Sequence, residues 1–174
     1  MVMRVEILQE THNRVDWQAK TPLVWIEAGL VLGAVAFGLL IVPSPHPSRW
    51  LVAGVVGGAV LLIGAIVAVT TPMAEQGHLE RLPDGGDVGR VKAWPLIGTR
   101  TVVAVALDDI TSFEVETTVF EDAGSDPYRR SRLWAVSDDG SREALTSWAE
   151  PSSVLALAEA LSKAGRRPLD MSGT

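Results

Sequence analysis

The chain has 174 residues and a formal net charge of −6, with 21 acidic and 15 basic side chains and no cysteine. Without cysteine there is no disulfide framework, thiolate metal site, iron–sulfur cluster or cysteine nucleophile. The acidic balance argues against a nucleic-acid partner, because polyphosphate binding needs a basic field to replace counterions.

Residues 1–21 form a mixed-charge N-terminal segment (MVMRVEILQETHNRVDWQAKT), whose MRVEILQ run fits either a strand or a juxtamembrane helix. Two apolar runs follow, Pro22–Val42 with Glu27 as its one charge and Trp50–Val69 with none. Twenty helical residues rise about 30 Å, the thickness of a bilayer's hydrocarbon. Both runs therefore read as transmembrane helices, within a hairpin over 22–70. The linker PSPHPSR is too short and proline-rich for anything but antiparallel neighbours. Arg4, Arg14 and Lys20 before the first run, and Arg81, Arg90 and Lys92 after the second, outnumber Arg49 in the loop. That bias predicts a multi-pass protein of the cytoplasmic membrane with both termini in the cytoplasm.

Small residues suggest how such helices would pack. Gly54, Gly58 and Gly64 share one side of the second run, and Gly29 and Gly33 one side of the first. Small-xxx-small faces let backbones approach closely in lipid, here within the hairpin or against another copy or partner. Glu27 lies about 7 Å into the first run by helical rise. Its carboxylate reads as a boundary group able to reach the interface or Lys20, with a proton or partner role as the alternative.

Residues 73–174 carry 17 of the 21 acids and 11 of the 15 basic residues, the composition of a water-facing domain. Strands are expected at Gln76–Leu82, Val88–Trp94 and Thr101–Leu107, with a turn at Pro83-Asp84-Gly85-Gly86. Ile110–Phe120 alternates with period two and directs Phe113 and Val115 inward. Tyr128–Val136 and Arg142–Trp148 flank Asp139-Gly140, a hairpin signal. Pro151 suits a first helical position, and Val154, Leu157, Ala158 and Leu161 form one apolar stripe ended near Gly165.

The run YRRSRLWAVSDDGSREALTSWAEPSSVLALAEALSKAG, with ALDDITSFEVE before it, resembles the end of bacterial PH-like domains. Together with two upstream spans, the layout resembles small bacterial membrane proteins carrying a membrane-anchored PH-like domain. The resemblance implies a membrane α-hairpin plus an α+β domain over 73–168. That domain would be a bent β-barrel of about six strands capped by a C-terminal helix, followed by a tail at 169–174. It implies no particular activity.

Chemistry-bearing motifs are sparse. His12, His46 and His78 share no ligand spacing, so no metal site or cofactor is expected, and no nucleophile–base arrangement marks an enzyme. Asp108-Asp109, Asp138-Asp139 and the glycine-rich PDGGDVG run read as turns. The binding candidates are Arg130 and Arg132, on one face of their strand, with Tyr128 beside them and Arg129 on the other face. They could hold an anionic lipid headgroup, or pair across the sheet with Glu114, Glu116, Glu121 or Asp122. Trp94, Trp134 and Trp148 read as core, or as an aromatic groove for a peptide. The expected function is a non-enzymatic accessory or interaction subunit. Its expected partners are the lipid bilayer and a protein partner or second copy; anionic-lipid binding is the alternative, and an enzyme is the third reading.

Overall fold

The computed structural model describes residues 3–20, 74–94, 98–121 and 126–173, together with positions 33, 55, 58, 59 and 62. Chain order begins with two strands, β1 (Arg4–Glu10) and β2 (Arg14–Lys20), joined by a short turn. They run antiparallel, and β2 then pairs with β3 (Ala74–Leu82), so the N-terminal segment is strand and joins the domain. β4 (Gly85–Trp94) and β5 (Gly98–Ala106) complete a five-stranded antiparallel sheet in the order β1-β2-β3-β4-β5.

A single 3-10 turn, Leu107–Asp109, carries the chain into a second sheet. There β6 (Ile110–Phe120) pairs antiparallel with β7 (Tyr128–Ser137), and β7 with the short β8 (Arg142–Ala144). The helix α1 (Pro151–Gly165) follows, and β9 (Leu169–Gly173) then returns parallel to β6. The second sheet thus has the order β8-β7-β6-β9.

One hydrophobic core joins both sheets and the helix. Val15 and Leu79 from the first sheet meet Phe113, Leu133 and the α1 stripe Val154, Leu157, Ala158 and Leu161, all buried. The stripe has helical spacing because one face of α1 covers the sheets while the other stays wet. Pro151 begins the helix, where its missing N–H has no intrahelical partner to lose. At the other end Arg166 takes the left-handed conformation (φ 52°), and its N–H bonds to the Ser162 carbonyl. The helix ends at Gly165 as expected, and the left-handed residue that follows is Arg166. Gly165 is held by packing: a Cβ there would press on Leu79, Leu107 and Phe113.

Among the described residues Trp17 is the largest buried side chain. Its indole lies over Gly77, directly opposite in the β2–β3 register, where any Cβ would overlap the ring. Truncating a buried tryptophan costs about 3–5 kcal/mol.

The expected membrane hairpin is corrected here. Among the described residues no helix is long and apolar enough to cross a membrane. The fully described helix, α1, has 15 residues and is apolar on one face only. The runs 22–42 and 50–69 lie outside the described residues except at Gly33, Val55, Gly58, Ala59 and Leu62, which are helical and exposed. Apolar length shows that a segment avoids water; it does not say what covers that segment. The multi-pass placement in the cytoplasmic membrane with cytoplasmic termini is therefore not upheld, and neither is the membrane-protein family inferred from it. The fold class changes as well. A β-rich domain with a helix near its C-terminus is present, but it has nine strands among the described residues rather than about six. A strand, not the helix, is its last element.

Candidate functional site

The β6–β7 register determines which side chains share a face. Phe120 lies opposite Tyr128, Thr118 opposite Arg130, Glu116 opposite Arg132 and Glu114 opposite Trp134. Their odd-numbered neighbours, Phe113, Val115, Ser131, Leu133 and Ala135, are buried in the core. Strand alternation therefore turns the even-numbered set to the opposite face, where each of its members on β7 is half-buried.

On that face cationic and aromatic side chains interleave. The Arg130 guanidinium carbon sits 4.7 Å from the Tyr128 ring centre and 5.5 Å from that of Phe120. Arg132 sits 4.5 Å from Trp148 and 5.2 Å from Trp134, and Arg142 continues the row 4.9 Å from Trp134. Phe120 stacks on Tyr128 with ring centres 5.8 Å apart and meets Trp148 edge-on at 5.4 Å. Each guanidinium–ring contact is worth about 0.5–2 kcal/mol, depending on how far water is excluded.

The carboxylates on this face are engaged elsewhere. Trp134 Nε1 donates to Glu116 Oε2 at 2.8 Å, and Arg142 Nη2 lies 2.8 Å from Glu114 Oε1. Glu116 still acts on Arg132 electrostatically. Burial pushes the Arg132 guanidinium below its ordinary value, Glu116 and Glu75 oppose that, and Arg90 adds to it. Among the described residues, neither Arg130 nor Arg132 has a hydrogen-bond acceptor or an ion pair, and the Nε of each is buried without a partner.

This arrangement has a chemical consequence. Stacking uses the face of a guanidinium, whereas hydrogen bonding uses its edge. Arg130 and Arg132 are therefore oriented by rings while edge donors stay unspent. Such a pair suits a carboxylate or phosphate, which accepts in-plane hydrogen bonds.

A second cluster lies close by. Glu75 on β3 and Arg90 on β4 are 2% and 4% exposed. Arg90 Nη2 donates to Glu75 Oε1 at 3.0 Å and to Ser147 Oγ at 3.0 Å, while Nη1 donates to the Ala144 carbonyl at 2.7 Å. Ser147 donates its N–H and hydroxyl to Glu75, and Lys92 Nζ lies 3.2 Å from the same carboxylate. Burial raises the Glu75 carboxyl, but Arg90, the Ser147 hydrogen bond and Lys92 outweigh it and hold the group below its ordinary value. The cluster fastens the first sheet to the segment carrying Trp148, and so positions one of the rings that hold Arg132.

The sequence-predicted binding residues Tyr128, Arg130 and Arg132 thus share one face. Trp134 and Trp148, which the sequence left between the core and an aromatic groove, belong to that face; the Trp94 side chain lies outside the described residues. Phe120 and Trp148 had no sequence role beside Arg130 and Arg132. The available signal was Arg and aromatic residues alternating at the same strand parity. Of the helix-packing residues, Gly29, Gly54 and Gly64 lie outside the described residues, as does Glu27. No described residue comes within 4 Å of a Cβ built at Gly33 or Gly58. Asp139 Oδ1 accepts the Ser141 N–H at 2.8 Å, an ordinary turn contact. Among the described residues no three His, Cys, Asp or Glu side chains could together hold a metal ion.

Comparison with known proteins leaves the site to its own chemistry. No protein-family model matches the chain, and no curated protein matches it significantly.

Proposed function

We propose that this protein is an interaction module that receives an acidic segment of a protein partner on the β6–β7 face. The observation that carries this reading is the pair of ring-stacked guanidiniums, Arg130 and Arg132, with no carboxylate bonded to their edges among the described residues. The rings add apolar surface beside the cations, so a segment mixing acidic and aromatic residues fits best. The buried Glu75–Arg90 cluster supports the reading, because it holds the Trp148 segment rigid before any partner arrives. An anionic lipid headgroup offers similar acceptors. A bilayer, however, meets the whole field of a chain carrying net −6, whereas a short segment meets mainly the local pair.

The test uses the full-length protein and a fluorescent octapeptide of alternating glutamate and tyrosine, with a lysine–tyrosine counterpart. The glutamate peptide is expected to bind saturably and more weakly as salt rises. R130A/R132A is expected to lose at least about tenfold in affinity, and R129A, altered on the opposite face, to bind normally. Equal binding of both peptides would sink the proposal. Binding to phosphatidylserine vesicles with none to the peptide would replace it by the lipid reading.

A further inference from the structure

A second cationic site lies where the end of β3, the 3-10 turn and the end of α1 come together. A pocket of about 250 Å³ is lined there by Arg81, Arg166 and Arg167, with Asp84, Asp108 and the Gly85 backbone completing a mostly polar wall. Three guanidiniums face two carboxylates, reversing the charge bias of a chain with six more acids than bases.

The geometry points to an oxyanion-binding site in this pocket, one that takes a phosphate-like group. The backbone holds the three arginines in place. Arg81 donates its N–H to the Asn13 carbonyl at 2.7 Å, and its own carbonyl accepts from Asn13 Nδ2 at 3.2 Å. Arg166 is the left-handed residue that ends α1, and its Nη2 reaches His12 Nε2 at 3.4 Å. Arg167 Nη2 donates to the Leu107 carbonyl at 3.1 Å and lies 3.7 Å from Asp108 Oδ1.

Donors remain after those contacts are made. Arg81 Nη1 and Arg167 Nε are buried and have no hydrogen-bond partner. A buried guanidinium N–H left without an acceptor is costly, and a bound oxyanion removes that cost. The end of a helix normally repels anions through its free carbonyls. Here the Ser162 carbonyl accepts from the Arg166 and Arg167 N–H groups, and the Arg167 carbonyl accepts from Ser162 Oγ. Three arginines arriving from different directions suit a tetrahedral group better than a planar carboxylate. The site shares no residue with the β6–β7 face, so either can fail alone.

The experiment is thermal unfolding of the full-length protein in inorganic phosphate and in chloride at matched ionic strength, with ³¹P line broadening as a direct readout. Phosphate is expected to raise the melting temperature above that in chloride. Arg166→Gln, at an exposed side chain, is expected to weaken phosphate binding about tenfold, and Arg81→Gln at least as much. Asp108→Asn, which removes a competing carboxylate, is expected to strengthen it. R129A, altered outside both sites, is expected to keep the full phosphate effect. A phosphoserine tripeptide distinguishes the source: tighter binding than phosphate assigns the site to a phosphorylated chain, and equal binding to the free oxyanion. Identical melting in phosphate and chloride, or an undiminished phosphate effect in Arg166→Gln, would overturn the assignment.

Discussion

Arg90 and the pair Arg130 and Arg132 are the same residue type under opposite constraints. Arg90 is almost fully buried, and its Nη groups meet Glu75, Ser147 and the Ala144 carbonyl. Arg130 and Arg132 are half-buried and held by rings, with no bonded acceptor among the described residues. An arginine whose Nη groups are filled acts as a fastener, even with its Nε left unpartnered as it is in Arg90. One held by its face, with its edge open, is prepared for something that is not yet there. A cation's neighbours, rather than its burial alone, separate scaffold from site.

The largest expected effect breaks the fastener. Arg90→Ala takes away the buried partner of Glu75 and leaves the carboxylate to Lys92 and Ser147, which should cost about 3 kcal/mol or more in chemical denaturation. R130A/R132A should cost less, because its four ring contacts lie on a half-exposed face, where each is worth about 0.5 kcal/mol and all four together about 2 kcal/mol. If the double variant proved as damaging as Arg90→Ala, the two regions would not differ as described.

Acid should separate the same two regions. The Glu75 carboxyl lies below its ordinary value of 4.5 in the folded state. Its stabilisation is therefore complete above about pH 4.5 and is lost as pH falls through the lower folded value. Glu75→Gln should flatten that acid limb of the stability profile, while R130A/R132A should change its slope much less, through the coupling of Arg132 to Glu116 and Glu75 alone.

A smaller effect sharpens the comparison from the aromatic side. Trp148→Ala removes one ring from Arg132 and the edge contact with Phe120. The expected loss is about 1–2 kcal/mol of stability. Binding of the glutamate–tyrosine peptide should fall further than that loss alone explains, because Arg132 is no longer oriented.

How much of this was legible follows from which interactions are local. The alternation of Ile110–Phe120, the turn at Asp138–Gly140 and the α1 stripe are short-range patterns, and they became β6, the β7–β8 turn and a helix beginning at Pro151. The common face of Arg130 and Arg132 also followed from parity. What parity could not supply was the cross-strand partner. Glu116 stands opposite Arg132, yet its hydrogen bond goes to the Trp134 indole. The Glu75–Arg90 pair was hidden because it spans two strands and the segment after β8. β1 was left open between strand and helix, whereas β2 and β9 were hidden, because each is short and pairs with a strand distant in the chain. The apolar runs misled for another reason: they report a need to avoid water, which is only half of a location.

The most direct test of the unspent-edge claim is the arginine Nε–H spectrum of the full-length protein, titrated with the glutamate–tyrosine peptide. The Arg130 and Arg132 signals should shift and exchange more slowly with water as peptide is added, while Arg90 stays unmoved. Signals from Arg130 and Arg132 that ignore saturating peptide, or that already show a bonded acceptor in the free protein, would contradict the account.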